Sequence, residues 1–147
     1  MTGDTTEGVA VPKEWPPQVA ELYSPIRLLG KGGFGAVMLA KKKRDKKDGD
    51  KDVMVAIKVV GGPNATKQLV GYAYREVHIL HELSHPHIMR VLQYWEPPPE
   101  SQSCALVMAL SFAQGPTCYQ LIMHGGRLSF AFSRVVAAQL TGKIHAI

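Results

Sequence analysis

Cysteine is scarce in this sequence, since Cys104 and Cys118 are the only two among 147 residues. Two cysteines do not make the disulfide framework of a small secreted domain, which favours a reducing location in the cytoplasm or nucleus. Long apolar runs are also missing. The longest, Cys104 to Leu110, has seven residues, whereas a membrane helix needs about 20. The N-terminus lacks the basic and apolar regions of a secretory signal. We therefore expect neither a membrane span nor secretion.

Positive charge is in modest excess, and the formal net charge is +5. Much of that excess lies between Lys41 and Asp52, where seven basic residues are interspersed with four acidic ones. No aromatic side chain interrupts this run, which disfavours a stacking platform for nucleic acids. A solvated loop between two strands is the simplest interpretation, and a nuclear import patch or a surface that docks an acidic partner are the alternatives.

The pattern of apolar residues predicts an α+β fold. Strands are expected at residues 23–30, 36–40, 53–60 and 104–110, with a further strand that ends near Glu96. Helices are expected at residues 66–83, after a Thr117 cap, and after a Ser129 cap. We expect residues 1–22 to form a flexible leader, because they are rich in threonine, glycine and proline.

The glycine-rich segment from Gly30 to Gly35 points most directly to a function. Glycine lacks a Cβ, so backbone N–H groups can approach phosphate oxygens closely. A dinucleotide-binding loop would continue into a helix, whereas Ala36 to Ala40 is short, apolar and typical of a strand. A Walker-type loop would end in Gly-Lys-Ser or Gly-Lys-Thr, which this segment does not. The pattern therefore predicts a glycine turn between strands, either an ordinary turn or a polyphosphate site.

Two charged residues favour the polyphosphate site over the ordinary turn. Lys58 lies in the predicted third strand and supplies the positive charge that phosphates require. Glu76 lies on the inward stripe of the predicted helix, between Ala73 and Leu80. A carboxylate on an apolar face is costly unless a cation is close. We therefore expect Lys58 and Glu76 to form an ion pair. The alternatives are that Glu76 reaches solvent or pairs with Arg75 or Lys67.

Four histidines, His78, His81, His85 and His87, lie close together in sequence. The spacing of His81 and His85 matches that of zinc ligands on a helix. Pro86 interrupts the helix there and no cysteine joins them, so we expect no metal site.

From Tyr23 onward the chain resembles the first half of a serine/threonine protein kinase domain. The resemblance is carried by Gly30-Lys31-Gly32-Gly33-Phe34-Gly35-Ala36-Val37, by Val55-Ala56-Ile57-Lys58 and by His85-Pro86-His87-Ile88. Residues 28–35 and 90–97 are most similar to the Pim subfamily. The resemblance implies a protein-kinase-like N-lobe at residues 23–110, a five-stranded antiparallel sheet plus one helix. It also implies a hinge and the first C-lobe helices at residues 111–147.

The resemblance also implies an ATP site. Lys58 would contact the α- and β-phosphates and Glu76 would orient it. The glycines would cover the phosphates, Val37 and Ala56 would enclose adenine, Met108 would be the gatekeeper, and the hinge backbone would hydrogen-bond adenine. The implied nucleotide-binding residues are Leu29, Gly30, Lys31, Gly32, Gly33, Phe34, Gly35, Val37, Ala56, Lys58, Met108, Ala109, Leu110 and Ser111.

Other parts of a kinase do not occur in these 147 residues: His-Arg-Asp, the catalytic-loop Asn and Asp-Phe-Gly. The intact enzyme would use ATP, Mg²⁺ and protein substrates, but the Mg²⁺ ligands and catalytic base are not here. We expect the 147-residue chain alone to be inactive. The remaining C-lobe or a partner protein would cover the apolar face of the last helix. The alternative is a non-catalytic module that binds nucleotide and acts in regulation or as a scaffold.

Overall fold

The structure, a computed structural model, describes residues 15–32, 35–43, 52–61, 66–96 and 106–144, with side chains as far as Leu140. Four helices and five strands lie within these ranges. In chain order they are α1 (Pro17–Leu22), β1 (Tyr23–Gly32), β2 (Gly35–Lys42), β3 (Met54–Val60), α2 (Lys67–Glu82), β4 (Val91–Trp95), β5 (Leu106–Ser111), α3 (Cys118–Gly125) and α4 (Phe130–Ile144). Several predicted features lie outside the described residues, namely Gly33, Phe34, Cys104 and most of the basic segment, at 44–51.

The strands form one antiparallel sheet in the order β1-β2-β3-β5-β4. The predicted five-stranded sheet with a helix against it is therefore confirmed. β3 and β5 are central and nearly continuously apolar, and all six residues of β5 except Ser111 are buried. A strand that is buried on both faces needs apolar side chains, and the run at residues 106–110 is apolar throughout, whereas the run at residues 55–60 is apolar except for the partly exposed Lys58.

One face of the sheet, here called the outer face, is covered by α1. Trp15 and Val19 are buried there against Ile57, Val107 and other β3 and β5 side chains. Pro17 at the first helical position fits the start of a helix, because its ring fixes φ and it has no N–H to satisfy. The flexible leader that we predicted for residues 1–22 is therefore wrong for residues 15–22, because residues 17–22 are helical and Trp15 and Val19 are buried on the sheet.

Side chains around α1 hold it in place. The Lys43 ammonium donates to the carbonyl oxygen of Ala20 at 2.6 Å, and the Lys43 backbone N–H donates to Leu22 at 2.7 Å. Tyr23, the first residue of β1, meets Trp95 edge to face with ring centroids 6.1 Å apart. Lys43, the residue after β2, thus holds the C-terminal end of α1, and Tyr23, the residue after α1, contacts β4.

The other face of the sheet, here called the helix face, carries α2. Thr66 caps this helix, its hydroxyl accepting from the Leu69 N–H at 3.2 Å. Ala73 and Val77 are buried against the sheet, and Leu69 is half-buried beside them. The predicted inward stripe is present, and it places Glu76 next to β3.

The last two helices follow an irregular stretch at residues 112–117. α3 begins with a capping box between Thr117 and Gln120, and the Ser129 hydroxyl accepts from the Phe132 N–H at the start of α4. Large apolar side chains on both helices are exposed, including Met123, Phe130 and Leu140. Within the described residues, no helix is long and apolar enough to cross a membrane.

Candidate nucleotide site beneath the glycine hairpin

The glycine-rich segment forms the end of the β1–β2 hairpin. Gly30 pairs with Val37, and Gly32 pairs with Gly35. Gly35 has a φ of 126°, a backbone conformation that residues with a side chain rarely adopt. A Cβ at this position would overlap the backbone carbonyl of Val59. Glycine at position 35 is therefore required so that the start of β2 can lie close beside β3 in the sheet.

Gly30 and Gly32 have a different environment from Gly35. Neither has a positive φ, and a Cβ built on either would have no heavy atom within 4 Å. The fold alone could accommodate alanine at both positions. Because both glycines border an open cavity, the space that their missing side chains leave is available to a ligand that approaches the backbone.

Lys58 and Glu76 form the predicted ion pair. The Lys58 ammonium lies 2.8 Å from Oε1 and 2.7 Å from Oε2 of Glu76. The two side chains are 25% and 38% exposed, so they are open to solvent and to a ligand on one side. An ammonium held by both carboxylate oxygens has little rotational freedom, and its remaining hydrogen can be directed to an anion.

A cavity of about 480 Å³ lies between the hairpin, β3 and α2. Gly30, Gly32, Gly35 and Val37 form its wall on the hairpin side. Lys58 lines it from β3, with Val59 and Val60, and Glu76 lines it from α2. The structure therefore brings six of the predicted site residues together around one opening.

The α2 side of the cavity includes residues that the sequence patterns did not predict to be part of the site. Leu69, Tyr72 and Ala73 line it together with Glu76. The Tyr72 hydroxyl accepts from the Gln68 amide at 3.0 Å. These positions lie seven, four and three residues before Glu76, so the helical period could have identified them once Glu76 was placed on the inward stripe.

The predicted adenine-contacting side chains lie on the helix face beside the cavity. Lys58 pairs with Val37 on one side and with Met108 on the other. Directly opposed residues of antiparallel strands share a face, so these three form a row across the sheet. Ala56 pairs with Leu110 one row away, and Leu29 packs against the same cluster.

The predicted hinge residues, Ala109 to Ser111, lie within β5 and not in a separate connection. Ala109 pairs with Ile57 and Gln93, so both of its neighbouring strands are in place, and its side chain is buried on the outer face. Lys31 is exposed on β1. The first residue outside regular structure after β5 is Phe112.

Carboxylates are few around the cavity. Among the described residues that line it, Glu76 is the one carboxylate, and Lys58 already binds both of its oxygens. Mg²⁺ requires several oxygen ligands, so these residues do not form a metal site by themselves. The described residues contain no group of three or more His, Cys, Asp or Glu side chains arranged to hold a metal ion. The phosphate-binding part of an ATP site fits the residues present, whereas its Mg²⁺ ligands do not occur among them.

Comparison with known proteins identifies the family. The model of the protein kinase domain matches residues 23–146. Serine/threonine-protein kinase SIK2 of Gallus gallus is 30% identical over 112 residues, which are 76% of this chain and 13% of the relative. Eukaryotic translation initiation factor 2-alpha kinase 3 of Rattus norvegicus is 40% identical over 82 residues, 53% of this chain and 6% of the relative.

A solved structure supports the same fold. The crystal structure of Rad53 1-466 in complex with AMP-PNP matches with a TM-score of 0.64 at 21% identity, covering 86% of this chain and 30% of that one. The chain therefore belongs to the protein kinase family, and its sheet and α2 have the fold of the kinase N-lobe. It spans 13% or less of the length of these two curated relatives.

Proposed function

We propose that the glycine hairpin, Lys58 and Glu76 bind the phosphates of ATP, and that the intact protein transfers the γ-phosphate of ATP to serine or threonine of other proteins. The observation that carries the proposal is the position of the Lys58–Glu76 ion pair in the wall of the cavity beneath the hairpin. The names of the curated relatives support the preference for serine and threonine. AMP-PNP in the Rad53 structure supports ATP as the nucleotide.

Each part of the site has a separate task in this proposal. Gly30 and Gly32 let the phosphate oxygens approach the backbone of β1, because no side chain fills that space. Lys58 neutralises charge on the phosphates, and Glu76 fixes the direction of its ammonium. Val37, Ala56 and Met108 provide an apolar surface for adenine. Phosphoryl transfer depends mainly on positioning and on neutralising charge, so these contacts are its first requirement.

Binding of ATP can be tested on the 147-residue chain directly. We expect ATP to raise the Tm in a thermal-shift assay and isothermal titration to report saturable binding. Lys58→Met should abolish both effects, while the Tm of the unliganded variant should stay within a few degrees of the wild-type value. Lys41→Met is the matched control, since Lys41 lies on β2 and pairs with Asp52 away from the cavity. Absence of any ATP effect, with and without Mg²⁺, would remove nucleotide binding from the proposal.

Catalysis is expected only when the missing groups are supplied. These 147 residues contain neither the catalytic Asp nor the Asp-Phe-Gly carboxylate, so we propose that the chain alone transfers no phosphate. The assay uses purified chain, Mg²⁺, labelled ATP and a mixture of protein substrates. Phosphotransfer by this chain that Lys58→Met abolishes would contradict the proposed inactivity.

A non-catalytic module is the second candidate function. It is favoured by the lack of a free carboxylate for Mg²⁺ among the described cavity residues. Such a module would bind ATP equally well with Mg²⁺ or EDTA, whereas a site completed elsewhere in a kinase would bind more tightly with Mg²⁺ in the intact protein. Within the first candidate, we propose membership of the Pim subfamily and a cytoplasmic or nuclear location. Peptide phosphorylation profiles and cell fractionation of the intact protein test these points.

A further inference from the structure

Two hydrogen bonds join the end of β5 to the residue before β4. The Ser111 backbone N–H donates to the carbonyl oxygen of Arg90 at 2.9 Å. In return, the Arg90 backbone N–H donates to the Ser111 hydroxyl oxygen at 2.9 Å. We call these two contacts the Arg90–Ser111 pair. Arg90 is exposed and lies outside β4, so the pair extends the β4–β5 ladder by one step.

The pair affects the backbone that we expect to recognise adenine. Ala109 has strand neighbours on both sides, as does Leu110, which pairs with Ala56 and Val91. Backbone N–H groups inside a sheet are normally committed to their ladder partners. Ser111 is the last residue of this segment, and its N–H is bound to Arg90. An adenine ring that needs the Ser111 N–H must therefore displace the Arg90 carbonyl.

We propose that the Arg90–Ser111 pair is an autoinhibitory contact, which lowers the affinity of the site for adenine until the pair opens. This inference depends on the proposed binding of ATP. When only a fraction of molecules is competent to bind, the apparent dissociation constant rises by the inverse of that fraction. The pair lies at the end of a ladder and beside an exposed residue, where local opening is easiest. Closed and open forms can therefore exchange without disturbing β3 or Lys58.

The hydroxyl of Ser111 is the part of the pair that can be changed without altering the backbone. It accepts the Arg90 N–H, and alanine at this position would leave that N–H to water, because Arg90 is exposed. One typical hydrogen bond corresponds to a change of about two- to tenfold in an equilibrium constant. Ser111→Ala should therefore increase the open fraction, and ATP affinity, by about that factor. Ser111→Thr keeps the hydroxyl and should behave as the wild type does.

Isothermal titration of the 147-residue chain with two probes, ATP and inorganic tripolyphosphate, tests the proposal. Tripolyphosphate carries the phosphates without adenine, so its affinity should be the same in wild type, Ser111→Ala and Ser111→Thr. ATP should bind about two- to tenfold more tightly to Ser111→Ala than to the other two. Ser133→Ala, an exposed serine on α4, is the control for loss of a hydroxyl elsewhere.

The outcomes separate this proposal from the proposed function. If ATP binds more tightly than tripolyphosphate but equally to all variants, the autoinhibitory contact is refuted and ATP binding stands. If tripolyphosphate binds as tightly as ATP to the wild type and to both Ser111 variants, adenine is not recognised and the contact has no role. If neither probe binds, both proposals fail. Amide exchange by NMR gives a readout that needs no variant: the Ser111 N–H should be protected in the free chain, and exchange at the rate of an unstructured amide would refute the contact.

Discussion

Replacing the glycines of the hairpin one at a time should separate the requirements of the fold from those of the ligand. Gly35→Ala places a methyl group where the Val59 carbonyl lies, at a φ of 126°. The backbone conformation alone costs a non-glycine residue about 1–3 kcal/mol. The methyl group cannot be accommodated by a rotamer change, because the obstructing atoms belong to the backbone of β3. We therefore expect a total loss of at least about 2–4 kcal/mol in the free energy of unfolding.

Gly30→Ala and Gly32→Ala should leave stability nearly unchanged. Both residues have open space around the Cβ position and no positive φ. Such substitutions usually change stability by within about 0.5 kcal/mol, or stabilise slightly by restricting the unfolded chain. Their effect should be on ATP, because the methyl groups would occupy the space beside the cavity into which phosphates are proposed to fit.

Thermal melts and ATP titrations of the three variants give the comparison. A change of 1 kcal/mol shifts the Tm by about 2–8 °C for domains near this size. The Tm of Gly35→Ala should therefore fall by roughly 5–15 °C, and the other two should melt within about 2 °C of wild type. Wild-type stability of Gly35→Ala would refute the account of the hairpin. Unchanged ATP affinity of both Gly30→Ala and Gly32→Ala would refute their proposed proximity to phosphate.

Three further predictions concern packing, charge and pH. Val19→Ala removes two buried carbons from under α1 and should lower the free energy of unfolding, measured with urea, by about 1.5–3 kcal/mol. Val135→Ala, at an exposed position of α4, should lower it by less than about 0.5 kcal/mol. Equal effects of the two substitutions would mean that α1 is not packed. Glu76→Gln should weaken ATP binding, measured by isothermal titration, more than it lowers the free energy of unfolding, since a partly exposed ion pair contributes about 1 kcal/mol or less. Unaltered ATP affinity would contradict the proposal that Glu76 orients Lys58. Burial raises the pKa of the Tyr23 hydroxyl, against an opposing effect of Lys42. The free energy of unfolding should therefore stay constant below a pH of about 10 and fall above that pH, where the Tyr23 hydroxyl ionises more readily in the unfolded state than in the folded state. Tyr23→Phe should reduce that alkaline loss and Tyr119→Phe, on exposed α3, should not.

The parts of the site that were predictable depend on short patterns along the chain. The Lys58–Glu76 contact followed from a carboxylate on the apolar stripe of a helix and a lysine on the preceding strand, two patterns that the helical and strand periods define locally. β3 and β5 were predictable for the same reason, because short apolar runs bounded by turn residues are typical of buried strands. Thr117 and Ser129 were recognised as caps from their residue types and the helical patterns that follow.

The parts that were missed depend on contacts between distant residues. α1 has six residues, begins at Pro17 and is preceded by Pro16, a composition that is typical of a leader. This short helix is stabilised by the sheet that Trp15 and Val19 cover. The commitment of the Ser111 N–H to Arg90 depends on the register of β4 against β5, 21 residues apart. Likewise, the motif does not distinguish Gly35 from Gly30, since the difference is the closeness of the Val59 carbonyl.

Chemical-shift mapping of the ¹⁵N-labelled chain with ATP tests most directly whether the glycine hairpin and Lys58 form a nucleotide site. We predict saturable shifts of the backbone amides of Gly30, Gly32, Gly35 and Lys58 that disappear in Lys58→Met, with the Val19 amide in α1 unaffected. No shifts at saturating ATP, or shifts confined to α3 and α4, would contradict the site.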